Sequence, residues 1–195
     1  MTETTTSDSA AFSQLQGQLL IAMPSLLDPS FAQAVVYICE HTPQGAMGVV
    51  INRPLDISMT QFFEQFSLPC PEKFASQALL LGGPVQHSRG FILHRKTQQQ
   101  WQATTVVDEQ ICLSASQDII EAIAADEGPE SSLIMLGYAG WGAGQLEQEL
   151  LDNAWLTAPT DSDFLFNTPH ENCANLAAAR INVDLKQLSN SVGHA

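Results

Sequence analysis

Apolar positions along the chain come in short runs broken by Gly, Pro, Asp and Ser, a spacing that favours short strands over long helices. Gln18 to Met23 (QLLIAM) predicts a first buried strand, ended by Pro24. Asp28-Pro29 reads as a helix N-cap with proline at the first helical position, opening a short turn through Phe31. Ala34 to His41 (AVVYICEH) and Gly45 to Asn52 (GAMGVVIN) predict two strands joined as a hairpin, and Pro54 is expected to stop further pairing.

Three capping boxes then mark helix starts. Ser58 to Gln61 precedes Phe62, Phe63 and Phe66; Ser114 to Gln117 precedes Ile119, Ile120 and Ile123; Thr168 to Glu171 opens a helix carrying Leu176 and Arg180. Ala78 to Leu81, Gly90 to His94 and Gln102 to Val107 predict further strands, with Gly82-Gly83-Pro84 as a turn. Asp163 to Phe166 predicts an edge strand, and Asp184 a cap for one last turn.

The stretch that organises the rest is Ser132 to Leu151, SLIMLGYAGWGAGQLEQELL. It predicts a buried strand, a turn holding Gly137, Gly140, Gly142 and Gly144, and a helix start. Adjacent strands interrupted by single short helices argue for an α+β fold with a mixed or largely antiparallel sheet. The expected organisation is a disordered polar tail at residues 1–13 and a single domain over residues 14–195.

Charge changes the functional picture. Against 21 acidic residues stand 7 Lys and Arg, a net of -14, and no Lys or Arg occurs between Thr97 and Ala179. Nucleic-acid affinity comes largely from cations that displace counterions, so nucleic acid is an unfavourable partner. The four cysteines form no C-x-x-C pair, which points to buried thiols in a reducing compartment. The N-terminus has no secretory pattern and no apolar run is long enough to span a bilayer, so a cytoplasmic protein with no membrane partner is expected.

Candidate chemistry is sparse. The glycine stretch fits no G-x-G-x-x-G register, and with Gly144 as N-cap, Glu147 occupies the third helical position and repels a pyrophosphate. The stretch either packs a helix on its strand or forms a pocket for a neutral, apolar or peptide ligand, with Trp141 in a groove. Cys39 and His41, two apart on a strand, share a face and form the least unfavourable catalytic pair. His87, Arg89, His94, Arg95 and Lys96 are the one concentration of positive charge, either a solvated strand edge or an anion site. Arg53 follows an apolar strand and either locks its loop or binds a ligand. No zinc-like spacing exists beyond His170 and Cys173, so no metal and no cofactor are expected.

LLIAMPSLLDPSF, VVYICEH, GAMGVVINRP, LLLGGPVQHSRGFILH and LGYAGWGAGQLEQELLDNAWL, in this order, resemble the AlgH/YqgE family from Leu15 to the final GHA. The resemblance implies one α+β domain whose bifurcated sheet forms a pseudo-barrel with short flanking helices. It also implies a bacterial cytosolic protein of undetermined activity, some members being named transcriptional regulators through a link to alginate production. The chain departs from the family's usual residues at Gln33-Ala34 and Asn172-Cys173. No catalytic residues carry over. The matched motif residues Asn52, Arg53, Pro54, Gly82, Gly83, Pro84, Gly140, Trp141, Gly142 and Gly144 are site candidates. The leading expectation is a non-enzymatic binding or regulatory protein, gripping a protein partner or a small non-phosphate ligand near Trp141 and the Asn52–Pro54 loop. The alternatives are an enzyme using Cys39 and His41, and a direct DNA-binding regulator.

Overall fold

The computed structural model describes residues 15–192; the tail expected at residues 1–13 and the final GHA lie outside the described residues. Leu19–Ala22 (β1), Val35–Thr42 (β2) and Gly45–Val50 (β3) form as their β-branched runs predict, with β2 and β3 an antiparallel hairpin. Pro54 does not end pairing. It opens a further strand, Pro54–Ser58 (β4), which pairs with Ala78–Leu81 (β5). A first strand position tolerates proline because its missing N–H is not needed there.

The capping box at Ser58 forms as expected: Ser58 Oγ accepts from Gln61 N at 3.1 Å, and Gln61 Oε1 accepts from Ser58 N at 2.9 Å. It opens Met59–Glu64 (α1), which buries Phe62 and Phe63 and precedes the short Glu72–Ala75 (α2). The other two boxes do not form. Ser114 belongs to strand Ile111–Ser114 (β8), beside Val85–Arg95 (β6) and Thr104–Val106 (β7). Helix Gln117–Ala124 (α3) starts at Ser116, whose hydroxyl accepts from Ala103 N at 3.1 Å instead of capping the helix.

The glycine stretch is mostly strand. Ser132–Gly142 (β9) runs through Gly137, Gly140 and Gly142, leaving only Ala143 and Gly144 to turn into Gln145–Leu151 (α4). Trp155–Ala158 (β10) adds an edge strand to β1. Asp163 to Phe166 is helical, within Ser162–Asn167 (α5), because the Asp161 side chain caps it by accepting from Phe164 N at 2.8 Å. A four-residue apolar run has no periodicity to tell strand from helix. A 3-10 turn, His170–Asn172, leads into Cys173–Ala179 (α6), and Leu185–Val192 (α7) closes the described chain.

Among the described residues the sheet has ten strands, in the order β10-β1-β2-β3-β9-β6-β8-β7, with β4 and β5 branching off at β9. The result is a single domain with a curled, largely antiparallel half-barrel and short helices, as the α+β expectation required. The branch point explains the glycines. Met135 of β9 pairs with Leu80 of β5 on one edge, in parallel, and with Phe91 of β6 on the other, antiparallel. Gly82-Gly83-Pro84 therefore crosses β9 to join strands on its two sides. Gly82 N donates to Leu136 O at 2.7 Å and Gly82 O accepts from Val50 N at 2.8 Å, which ties β3, β5 and β9 together in the fork. A Cβ on Gly83 would lie 2.2 Å from the Tyr138 carbonyl carbon, and one on Gly82 would lie 2.3 Å from Gly137 O.

Three apolar clusters cover the sheet. One lies under α5 and α6, with Tyr37, Leu80, Leu93 and Phe164; a second lies under α4, with Val36, Trp141 and Trp155; a third lies under α1 to α3, with Phe63, Ile92 and Ile120. Gly83→Ala is expected to cost about 3 kcal/mol or more, since backbone atoms cannot yield to the added methyl. Gly144→Ala meets nothing within 4 Å at φ 72°, so only the left-handed backbone penalty of about 1–2 kcal/mol applies. Urea unfolding of the two variants checks this order.

Candidate functional site

Trp141 is a core residue. It is 6% exposed, stacked on Phe31 at 6.2 Å and set edge-on to Trp155 at 6.0 Å. Leu146, Glu149 and Leu150 fall on one face of α4, which brings the Glu149 carboxylate under both rings. Glu149 Oε2 accepts from Trp141 Nε1 at 2.9 Å and from Trp155 Nε1 at 2.8 Å, while Oε1 accepts from Gln145 Nε2 at 2.9 Å. One anion thus satisfies two indole N–H groups that would otherwise be costly to desolvate. Nothing in the sequence short of the helix register pointed to Glu149.

Cys39 and His41 do not share a face. Ile38 pairs with Gly48 but Glu40 pairs with Met47, so Cys39 is the extra residue of a β-bulge. The bulge reverses the alternation beyond it. Cys39 packs in the cluster under α5 and α6, whereas His41 sits opposite Ala46 on the α4 side, its Nε2 2.7 Å from Glu147 Oε1. The thiol is 1% exposed, and burial, with Glu40 adding to it, pushes its pKa far above the ordinary thiol range. A nucleophile needs the thiolate, so this position is inert.

The positive cluster also disperses. His94 is buried, its Nδ1 donating to Arg95 O at 2.8 Å and its Nε2 2.9 Å from Ser114 Oγ; burial lowers its pKa. Arg89 lies over Phe91 and Arg95 over Phe166, at 5.3 and 5.8 Å from the ring centroids. Cys173 is buried while His170 Nδ1 donates to Ile51 O at 3.1 Å, so these two do not converge. Among the described residues no group of three or more His, Cys, Asp or Glu is placed to hold a metal.

Among the described residues, two of the clefts take candidate residues and divide them. A cleft of about 460 Å³ runs between β3 and the outer part of β6, and it takes Gly140 and the edge of Trp141 together with Glu40, Met47, Arg89 and Tyr138. A larger one, about 690 Å³, takes Asn52, Arg53 and Pro54 together with Met23, Leu26, Ala174, Leu185 and Lys186. Gly82 and Gly83 are buried in the strand crossing and line neither, nor do Pro84, Gly142 and Gly144.

The larger cleft is built by two side chains that hold the 23–34 loop. Asn52 Oδ1 accepts from Val35 N at 2.9 Å and its Nδ2 donates to Gln33 O at 2.9 Å. The Arg53 guanidinium donates to Ser30 O through Nη1 and to Ala32 O at 2.9 Å through Nη2. The Asp28-Pro29 segment is accordingly a turn, with Asp28 Oδ1 accepting from Ser30 N at 2.8 Å, and not the start of a helix. Its opposite wall, His170, Glu171, Ala174 and Asn175 with Leu185 and Lys186, comes from the C-terminal segment. His170 and Glu171 fall in the Thr168 box, and His170 in the spacing with Cys173, but neither pattern points to a cleft; only the third dimension brings this wall to Arg53.

Comparison with known proteins gives one consistent result. A family profile described as AlgH-like matches residues 19–186. The chain is 49% identical to a UPF0301 protein of Thioalkalivibrio sulfidiphilus, covering 95% of this chain and 99% of the relative, and 50% identical to one of Pseudomonas fluorescens, covering 93% and 96%. It is similar to the solution structure of the AlgH protein from Pseudomonas aeruginosa, with a TM-score of 0.77, 46% identity and 100% of both chains covered. The crystal structure of DIP2367 from Corynebacterium diphtheriae shares the fold, with a TM-score of 0.71 and 22% identity over 90% of this chain and 91% of that one.

Trp141→Ala is expected to destabilise the fold by about 3–5 kcal/mol through loss of packing, and Glu149→Ala by about 2–4 kcal/mol through two orphaned indole donors; denaturant unfolding followed by tryptophan fluorescence measures both. Cys39, Cys112 and Cys173 are buried, and burial raises all three pKa values, Cys173 to about 12. In the native protein near neutral pH, a chromogenic disulfide reagent should therefore titrate Cys70 alone, the others following on denaturation.

Proposed function

The chain belongs to the AlgH-like family, and on that footing we propose that it works as a non-enzymatic binding protein whose recognition site is the cleft bounded by Asn52, Arg53 and Pro54. The observation that carries this reading is the construction of the cleft itself. Two side chains fix a loop as one wall, the C-terminal helices form the other, and its volume of about 690 Å³ suits a ligand. Small-molecule sites elsewhere are of the order of 300–1,000 Å³, mostly apolar, with a few converging polar groups. The one catalytic pair the sequence offered is divided by a bulge, which removes the main support for an enzyme.

The ligand in this reading is a small non-phosphate molecule or a segment of a protein partner, met in the cytoplasm. Any effect on transcription is indirect, passed through that partner. The net charge of -14 leaves little to replace the counterions of a nucleic acid. In a gel shift at low salt, no tight, sequence-selective retention of DNA is expected; such retention would contradict the proposal. In an amide-shift screen of small neutral and monoanionic compounds, binders are expected to perturb Met23, Asn52 and Ala174. Binders that cluster instead on Met47, Arg89 and Phe91 would move the site to the smaller cleft.

A further inference from the structure

The larger cleft holds two of the cations that form no ion pair among the described residues. Lys73 pairs with Asp126 at 2.5 Å, Arg180 pairs with Asp161, and Arg89 and Arg95 lie over aromatic rings. Arg53 differs. Its partners, Ser30 O and Ala32 O, are carbonyls, which orient a guanidinium without neutralising it. A guanidinium has five N–H donors, so three remain for something else. Lys186 lines the same cleft, and among the described residues neither cation has an ion-pair partner. Arg53 and Lys186, neither held in an ion pair, thus share one cavity whose lining is part polar, Glu171 included, and part apolar, an arrangement that suits an external anion with an apolar body.

We propose that this cleft recognises an organic monocarboxylate with an apolar body. The carboxylate meets Arg53 and Lys186, and the body lies against Met23, Leu26, Ala174 and Leu185. The planar guanidinium fork matches the two oxygens of a carboxylate. Glu171 also lines the cleft and repels a phosphate dianion more strongly than a single negative charge. This inference rests on the reading of the cleft as the binding site, and the test keeps the two apart.

Octanoate, octanamide and octyl phosphate are titrated into the intact chain, with amide NMR shifts locating binding and calorimetry measuring it. Octanoate should perturb Met23, Leu26, Ala174 and Lys186 and bind about tenfold or more tighter than octanamide, as expected for a charge-assisted contact. It should also bind more tightly than octyl phosphate. Lys186→Gln, a change at an exposed position, should weaken octanoate roughly fivefold and leave octanamide unchanged. Asn175→Trp should block both by filling the cleft. Equal binding of octanoate and octanamide, preference for octyl phosphate, or no octanoate response in the cleft would overturn the carboxylate assignment. Octanamide binding in the cleft would leave the cleft itself as the site, whereas octanoate shifts confined to Met47 and Phe91 would overturn both.

Discussion

At Gly82 and Gly83 the connection between β5 and β6 lies against the β9 backbone at Gly137 and Tyr138, where any Cβ would fall 2.2 to 2.3 Å from main-chain atoms. That contact decides the topology. It lets one chain segment pass from one edge of β9 to the other in three residues, so that β9 serves both branches of the sheet. Gly137 at φ 76° supplies the bend under the crossing. Backbone hydrogen bonds from Gly82 to Leu136 and from Val50 to Gly82 then seal the fork. Side chains are excluded there by geometry, and with them any ligand.

Open cleft space is accordingly left to the margins of the fork. Immediately beyond β3, Asn52 and Arg53 reach back to the 23–34 loop and hold it with side-chain contacts where no strand pairing continues. Elsewhere the polar contacts close surfaces. Glu149 ties α4 to two tryptophans, and Glu147 meets His41 at the same helix start. These carboxylates serve packing, whereas Arg53 and Lys186 of the larger cleft form no ion pair among the described residues.

Much of the fold was legible in the sequence because it rests on local chemistry. The β-branched runs at Val35 and Gly45, the Ser58 capping box and the isoleucine face after Gln117 each specify their element within a few residues. Several of the failures come from contacts that local pattern does not show. Gly137, Gly140 and Gly142 read as a turn because glycine is permissive, yet all three lie within β9, and at Gly137 a Cβ would fall 2.6 Å from the carbonyl oxygen of the sequence-distant Gly83. Ser114 read as a cap, but its hydroxyl is claimed by His94 across the sheet. Strand alternation put Cys39 beside His41, and a single bulge undid it. The Asn52–Pro54 segment was found from its motif, while Ala174, Leu185 and Lys186 were not, since they meet Arg53 only through the chain's return.

The account divides the molecule into a rigid crossing without ligand access and a cleft walled by a side-chain-held loop. Native-state amide hydrogen exchange tests that division most directly, because protection reports whether a segment opens locally or only with the whole fold. The amides of Gly82 and Val50, donating at 2.7 and 2.8 Å within the fork, should exchange only through global unfolding, while amides of the 23–34 loop exchange through smaller openings. Gly82 and Val50 exchanging as readily as that loop would contradict the account, since the crossing would then be the mobile, admitting element.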